Sequence, residues 1–561
     1  MNSVPRLALA GAGGLFLLAW LLPNHYLPWL VAYSEFASFL AVVVLGVVLF
    51  WQGAKLTLTA LSVLLLAMVP LLQGAAGLIY FAGDAAMAAI YLLGFAAALT
   101  IGYGLGRDSV VRNSTLGFLA GVLVLAAVLS VWIALRQWLL LSGVIWEAEL
   151  QPGGRPFANL AQPNSLATLL CMGVAATLYL FDRRLVGVGV ASLLALVLIF
   201  GIALTQSRTP WVGAICTLFW WGWKSRSVAL RLPVAGFAAW VGIYVVAVLS
   251  LQTLAEFLFL PSASLSERAQ GMQRLDLWWQ FSQAVMHGPL WGYGWTQVSV
   301  AQVSMAVDYP VPIMTEHAHN ILLDLLLWNG PVMGGLIVLL SALWLVRLAR
   351  HAVTREGVFA LLAVGFVLVH GMLEFPLEYA FFLFPVGLLL GLVEADQQVP
   401  AVVSVPRWVS VGALVFSIVM LGWVGYEYRV IEEDHRLMQF ESARIGSLKA
   451  EQKAPDVLVL TQLREFIRFS RTKPYAGMSV HELDWMRKVA HRYPNAPNLF
   501  RYAFALGLSG SPAAAYEQML ILRSLHGDEL YDEGRIAFQA MLGGNPQLGD
   551  VLARLPETGF R

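Results

Sequence analysis

Charge is what this sequence has least of. Of its 561 residues only 12% are Asp, Glu, Lys or Arg, while 59% are hydrophobic, a balance unsuited to a water-soluble globule. The 35 basic and 34 acidic residues leave a net charge of +1, so there is no basic field of the kind that binds nucleic acid, and no acidic bias either. Cysteine is nearly absent. Cys171 and Cys216 both lie inside long apolar runs, where a free thiol behaves as a small hydrophobe, and no disulfide is implied. A glycine-rich, phosphate-cradling loop after a strand is also missing, and with it the usual signature of a nucleotide cofactor. What is present in abundance is apolar sequence.

Taking about 20 apolar residues as one bilayer crossing, the chain reads as an all-α polytopic membrane protein with about 13 transmembrane helices. They are expected near 5–23, 37–53, 55–73, 86–104, 115–135, 165–181, 185–204, 210–223, 232–251, 319–346, 357–372, 377–393 and 407–427. Residues 1–427 then form a membrane domain, and 428–561, polar and helical in pattern, a soluble one. Cytoplasmic loops retain Lys and Arg. With the N-terminus inside, alternate loops hold Arg6, Lys55, Arg107 with Arg112, Arg183 with Arg184, Lys224 with Arg226 and Arg231, Arg347 with Arg350 and Arg355, and Arg407. The loops around 24–36, 74–85 and 371–378 hold none. An odd number of crossings puts the C-terminal domain on the opposite side, the periplasm of a bacterial inner membrane.

Against that bias stand Arg136, Arg155, Arg208, Arg268 and Arg274 on the periplasmic side. Solvation or a local ion pair would account for Arg136 and Arg155; the others suit an anionic ligand at the membrane surface, such as a lipid-linked diphosphate. A long periplasmic segment at about 252–318 has the length of a functional loop. In the C-terminal domain the spacing of Tyr502, Ala505, Gly507 and Ala515 resembles a degenerate tetratricopeptide unit, with an ordinary helical bundle as the alternative.

The sharpest local feature is the polar cluster Glu316-His317-Ala318-His319-Asn320, followed by an apolar run carrying Asp324 and ending at Gly330-Pro331. Ligands at i and i+2 do not share a helix face, and no second motif supplies further ligands at usual spacing, so a metal site is not expected. His319 could cap or pack at the helix start. Alternatively, an imidazole beside the positive end of a helix dipole suits a general base. Gly330-Pro331 should kink the helix.

His319-Asn320 opening an apolar helix that reaches Gly330 resembles the hallmark of the O-antigen ligase and polymerase superfamily of membrane glycosyltransferases. Thr205-Gln206-Ser207-Arg208-Thr209 is similar to that family's Ser-Arg motif. Arg274 to Trp278, followed by Pro289-Leu-Trp-Gly292-Tyr-Gly294, is similar to its Arg-x-x-x-Trp and Pro-x-x-Gly-x-Gly stretch. Within the superfamily the bacterial protein O-oligosaccharyltransferases, or pilin glycosylation ligases, look nearest. Gln162-Pro163-Asn164 resembles their Gln-Pro-Asn motif, Glu374-Phe-Pro-Leu-Glu378-Tyr379 a late Tyr-bearing motif, and the appended C-terminal domain fits that branch. Ser165 stands where many relatives have His. Trp291-Gly-Tyr-Gly-Trp looks like the acceptor motif of N-linked oligosaccharyltransferases but lacks its Asp.

The resemblance implies transfer of a glycan from undecaprenyl diphosphate to a Ser or Thr hydroxyl of a pilin or other exported protein, without a metal or other cofactor and with inversion. His319 would be the catalytic base, Arg208, Arg274 and Arg268 the diphosphate ligands, and Gln162, Asn164 and Tyr379 the groups that orient the donor. The alternatives are an O-antigen ligase acting on lipid A core, an O-antigen polymerase, and, more distantly, a glycolipid transporter without catalysis. The charge asymmetry carries a direct test of orientation. A reporter fused after Leu437 should be active only in the periplasm, and one fused after Arg226 only in the cytoplasm; reversal of either would overturn the assigned topology.

Overall fold

The computed structural model describes residues 3–141, 143–261, 273–443 and 453–557. Arg268 lies outside them. The chain is mostly helical, and each expected crossing coincides with helix. In order these are α1 (Ser3–Leu21), α2 (Ala32–Phe50), a short strand β1 (Ala54–Thr57), α3 (Leu58–Leu66), α4 (Met68–Ala75), α5 (Ala82–Gly106), α6 (Ser109–Trp138), α7 (Pro163–Asp182), α8 (Val188–Thr205), α9 (Thr209–Lys224) and α10 (Val234–Phe257). There follow α11 (Gln273–His287), α12 (Val298–Met305), α13 (Ile321–His351), α14 (Arg355–Gly371), α15 (Ala380–Asp396), strand β2 (Ala401–Val405) and α16 (Arg407–Ser442). Last come α17 (Thr461–Arg471), α18 (Val480–Arg492), α19 (Ala496–Leu508), α20 (Pro512–His526), α21 (Asp528–Met541) and α22 (Gly549–Leu552).

Among the described residues nine helical segments are long and apolar enough to cross a membrane; α9, α14 and α15, at 16, 17 and 17 residues, are shorter. The expected crossing at 55–73 is not one smooth helix. Its start is extended as β1, where Thr57 caps α3 by accepting from Ala60 N, and α3 and α4 meet at Ala67. The helix at 407–427 runs on without a break to Ser442.

The chain divides into two compact units. The first comprises residues 1–67, 90–269 and 341–425. Its core is built from the apolar faces of α1, α2, α6, α7, α8, α14 and α15. Small residues let backbones touch. A Cβ on Gly102 would sit 2.1 Å from Leu388 O, and one on Gly391 2.1 Å from Leu99 O, so α5 and α15 cross at glycines, as membrane helices do when packing rather than water exclusion holds them together. β1 and β2 pair antiparallel, Lys55 opposite Ser404. Buried carboxylates are satisfied locally. Glu394 accepts from Thr57 Oγ1, Thr59 Oγ1 and Trp344 Nε1 at 2.7, 2.7 and 3.0 Å, and Asp396 pairs with Arg112 at 3.0 Å.

The second unit comprises 68–89, 270–340 and 426–561. Its largest core lies among α18 to α21, around Met486, Leu499, Tyr502, Met519, Tyr531 and Phe538. Tyr502, Ala505, Gly507 and Ala515, the spacing noted in the sequence, are buried in the α19–α20 hairpin. The end of α16 holds α17 by two devices. Glu427 accepts the backbone N–H groups of Leu458, Val459 and Leu460 at 2.7 to 3.0 Å, and Arg471 bridges Asp434 and Glu441.

One half-buried imidazole in this bundle is a candidate source of acid sensitivity. His491 donates from Nε2 to Gln518 Oε1 at 3.1 Å in its neutral form, and burial pushes its pKa down from 6.5 to about 4. A His pKa lowered by folding contributes stability above the unfolded value and loses it as pH falls through the folded one. His491→Gln should therefore flatten the loss of thermal stability between about pH 6.5 and pH 4, a window worth up to about 3 kcal/mol. An unchanged acid limb in the variant would show that His491 does not set it.

Candidate active site

The residues singled out from the sequence fall into two groups, one in each unit. In the first unit, the loop before α7 is held by two amides. Gln137 Oε1 accepts from Phe157 N and Ala158 N while its Nε2 donates to Ala148 O and Ala158 O. Asn159 Nδ2 donates to Leu21 O and Trp146 O, and its Oδ1 accepts from Ala148 N. These bonds hold a loop in which Ala158 and Ala161 have φ of 51° and 58°, an uncommon conformation for a residue with a Cβ. Gln162 and Asn164 then open α7 facing one carboxylate. Gln162 Nε2 donates to Glu374 Oε2 at 3.2 Å, Asn164 Nδ2 to Glu374 Oε1 at 3.0 Å, and Ser165 Oγ to Gln162 Oε1 at 3.1 Å. Ser165 thus belongs to this network. One turn before Glu374, His370 meets Thr168 Oγ1 at 2.9 Å, so the α7–α14 seam is polar over two layers. Tyr379 follows at the N-cap of α15, half-buried and stacked on Phe381 at 5.0 Å.

Arg208 sits at the N-cap of α9 and is exposed. The turn that presents it is left-handed at Gln206, φ 48°. Arg155 holds that turn, donating from Nε to Thr205 O at 3.0 Å and from Nη2 to Ser207 Oγ at 3.1 Å. Arg155 is thus a brace for the Ser-Arg junction. Arg136 is accounted for by its ion pair with Glu147 at 2.8 Å. Arg208 has no carboxylate partner among the described residues.

In the second unit, His319 stands just outside α13 in a left-handed conformation, φ 53°, half-buried. Asn320, not His319, caps the helix: its Oδ1 accepts from Leu322 N at 3.0 Å. The residue before His319 is held through both its backbone polar groups. Ala318 N donates to Oδ1 of fully buried Asp324 at 2.8 Å, and Ala318 O accepts from Trp278 Nε1 at 3.0 Å. The imidazole Nε2 lies 3.4 Å from Thr315 Oγ1, and Thr315 N in turn is tied to Gln302 Oε1 at 3.0 Å. Arg274 occupies the first turn of α11, one turn before Trp278 and on the same face.

The kink expected at Gly330-Pro331 is present, with Gly330 at φ 75° and ψ 170°. Pro331 has no N–H to give Leu327 O. That carbonyl accepts from Tyr293 N at 2.7 Å, and Trp328 O accepts from Gly294 N at 3.2 Å and Gln73 Nε2 at 2.9 Å. Trp295 stacks on Trp328 at 4.6 Å and donates to Asn329 Oδ1 at 3.0 Å. The Pro-x-x-Gly-x-Gly stretch is therefore the clamp on this kink. A Cβ on Gly292 would lie 2.4 Å from Gly330 N, which is why glycine is needed there. Finally, Arg492 of α18 binds Asp84 through Nε and Nη2, at 3.2 and 3.1 Å, and Glu316 through Nη1 at 3.3 Å, three residues before His319.

Comparison with known proteins puts this geometry in context. Over 521 residues the chain is 33% identical to the general O-oligosaccharyltransferase of Acinetobacter baylyi, covering 91% of this chain and 90% of that protein. The chain belongs to the O-oligosaccharyltransferases. It is therefore a glycosyltransferase that moves a glycan as a block onto protein. A second relative, the ComP-specific O-oligosaccharyltransferase of the same organism, is 26% identical over 415 residues, 73% of this chain and 74% of that one. The O-antigen ligase family model matches residues 191–340, the protein glycosylation ligase model 156–181, and the model for the C-terminal part of the virulence factor membrane-bound polymerases 358–540.

For this O-oligosaccharyltransferase, sequence reasoning did not assign Glu374, Trp278, Asp324 or Arg492. Glu374 and Asp324 had a signal, an acidic residue beside or within an apolar run, and Trp278 stood in the Arg-x-x-x-Trp stretch without a role; Arg492 had none beyond its residue type. The Glu374 network supports a double-mutant test. Glu374→Gln replaces an acceptor oxygen with an amide that faces two amide donors, so thermal stability should fall by about 1–3 kcal/mol. Adding Gln162→Ala should recover part of that loss, a coupling of about 0.5–3 kcal/mol; strictly additive effects would show that the two side chains do not interact.

Proposed function

We propose that this O-oligosaccharyltransferase transfers its glycan from undecaprenyl diphosphate to a Ser or Thr hydroxyl of a pilin or other exported protein at the periplasmic face of a bacterial inner membrane. The hydroxyl oxygen attacks the anomeric carbon, the bond from that carbon to the phosphate oxygen breaks, and the electron pair leaves with the diphosphate. One displacement without an enzyme-bound glycan inverts the anomeric centre. His319 accepts the hydroxyl proton, a contribution of about 10²–10⁴-fold. Arg208 and Arg274, with Arg268 as a third, stabilise charge growing on the diphosphate, and Gln162, Asn164 and Tyr379 orient the donor. In this reading residues 1–427 cross the membrane about 13 times, and 428–561 form a periplasmic domain.

The observation that carries the base assignment is the backbone of Ala318, held at both its N–H and its C=O. Asp324 and Trp278 take up both its hydrogen-bonding groups, so the backbone of the residue that follows, at φ 53°, is set by the fold. Arginine is suited to the diphosphate because its planar fork matches two oxygens at once. With arginines neutralising the leaving group, no metal is required. The named relatives are a general and a ComP-specific O-oligosaccharyltransferase.

Purified enzyme, a defined lipid-diphosphate glycan, and separate pilin and lipid A core acceptors test the whole reading by mass spectrometry. Transfer should go to pilin, and chelator should leave it intact; restoration by Mg²⁺ after loss in EDTA would remove the arginine-only account. His319→Ala should abolish turnover while donor lipid still binds, because a base acting on the acceptor proton adds little to ground-state donor affinity. Arg208→Ala and Arg274→Ala should lower donor binding and turnover together, with Lys only a partial rescue. If His319→Ala in folded, membrane-inserted protein turns over normally, the base is elsewhere.

A further inference from the structure

Helix α11 has two apolar faces where an aqueous helix has one. Leu277, Gln280, Phe281 and Ala284 are buried toward the protein. On the opposite side Leu275, Trp279 and Met286 fall within about 40° of one another at 100° per residue, and the turn beyond adds Leu290 and Trp291. All five are exposed, between 58% and 75%. An apolar stripe of this size marks either a protein partner or lipid.

The neighbouring helix favours lipid. After its kink α13 exposes Val332, Met333, Leu336, Leu339 and Leu340, the surface of a membrane-crossing helix. From Pro331 to the basic pair Arg347 and Arg350 it rises about 24 to 29 Å at 1.5 Å per residue, close to one hydrocarbon thickness. With Arg347 and Arg350 at one membrane surface, that length puts the kink near the other. It is against this point that the end of the α11 stripe is fastened: a Cβ on Gly330 would lie 2.0 Å from Leu290 O, and Tyr293 N and Gly294 N bond the carbonyls just before the kink. Exposed Leu290 is thus fastened by its backbone two residues before exposed Val332. The stripe carries no charge, and tryptophan is the residue that settles at the headgroup boundary.

We propose that α11 is an interfacial helix, its Leu275, Trp279, Met286, Leu290 and Trp291 stripe seated in the headgroup and upper acyl region of the bilayer that α13 crosses. Arg274, next to Leu275, is then delivered at the depth where lipid phosphates lie. The seating is independent of the roles given to His319 and the arginines, since it concerns depth and not turnover.

Depth can be read directly. In full-length protein with Cys171→Ala and Cys216→Ala, nitroxide labels are attached at Trp279→Cys, Ser282→Cys or Trp291→Cys, and the protein is placed in nanodiscs of phosphatidylethanolamine and phosphatidylglycerol. Val332→Cys serves as the lipid reference, and Val480→Cys, exposed on α18, as the aqueous one. Oxygen should reach the α11 labels several-fold better than a nickel chelate does, as at 332. Ser282, a small residue one turn after Trp279, keeps the test open should a tryptophan variant fail to fold. Labels that behave like 480 would overturn the proposal. So would labels that are open to nickel alone and become shielded when acceptor protein is added, because the stripe would then be an acceptor-docking surface.

Discussion

A proline inside a helix leaves a carbonyl without its donor, and a buried carbonyl left unpaired is costly. Much of the candidate active site is organised by the way this chain answers that constraint. Leu327 O and Trp328 O, uncovered at Gly330-Pro331, are met by the N–H groups of Tyr293 and Gly294 and by the side chain of Gln73. Meeting them requires the backbone of 290–294 to lie against the kink, which only glycine at 292 and 330 permits. Once that loop is docked, α11 is held beside the start of α13, and Trp278 reaches Ala318 O. His319 is then in a fixed place by the same chain of contacts. The kink and the histidine are twelve residues apart in the helix-forming run but mechanically part of one arrangement.

The first unit solves a related problem with side chains. Its polar seam between α7 and α14 gathers Gln162, Asn164, Ser165 and Glu374, then Thr168 with His370. Each group finds its partner inside the unit, so the amides that face the donor in the proposed mechanism are already oriented before any ligand arrives. Arg155 plays the same part for the Ser-Arg turn. Holding polar groups in place beforehand is what lowers the reorganisation cost at the moment of reaction.

Much of this could be read from residues alone. Apolar runs located the helices because a bilayer imposes both length and composition, and the Gly330-Pro331 kink follows from proline's missing donor. The motifs around Gln162, Arg208, Arg274 and His319 were visible as polar residues set into apolar surroundings. What escaped was partnership across the chain. Nothing near position 278 says that its indole bonds a carbonyl forty residues on, and nothing near 374 names two amides on another helix. The break at Ala54–Thr57 was hidden for a similar reason: β1 is extended because β2, some 350 residues later, pairs with it. Periodicity reports on a helix's own surroundings, and these features belong to pairs.

Arg492 carries a lesson for anyone who would exchange parts between relatives. It is the last residue of α18, yet its guanidinium is buried against Asp84 in the first turn of α5 and reaches Glu316 beside the histidine loop. A buried carboxylate that loses its cation costs about 3–5 kcal/mol. The C-terminal region is therefore no detachable cartridge for acceptor choice. A chimera cut at the end of the last membrane helix would graft a foreign residue onto Asp84, and a working graft has to travel with positions 84 and 316 as one piece.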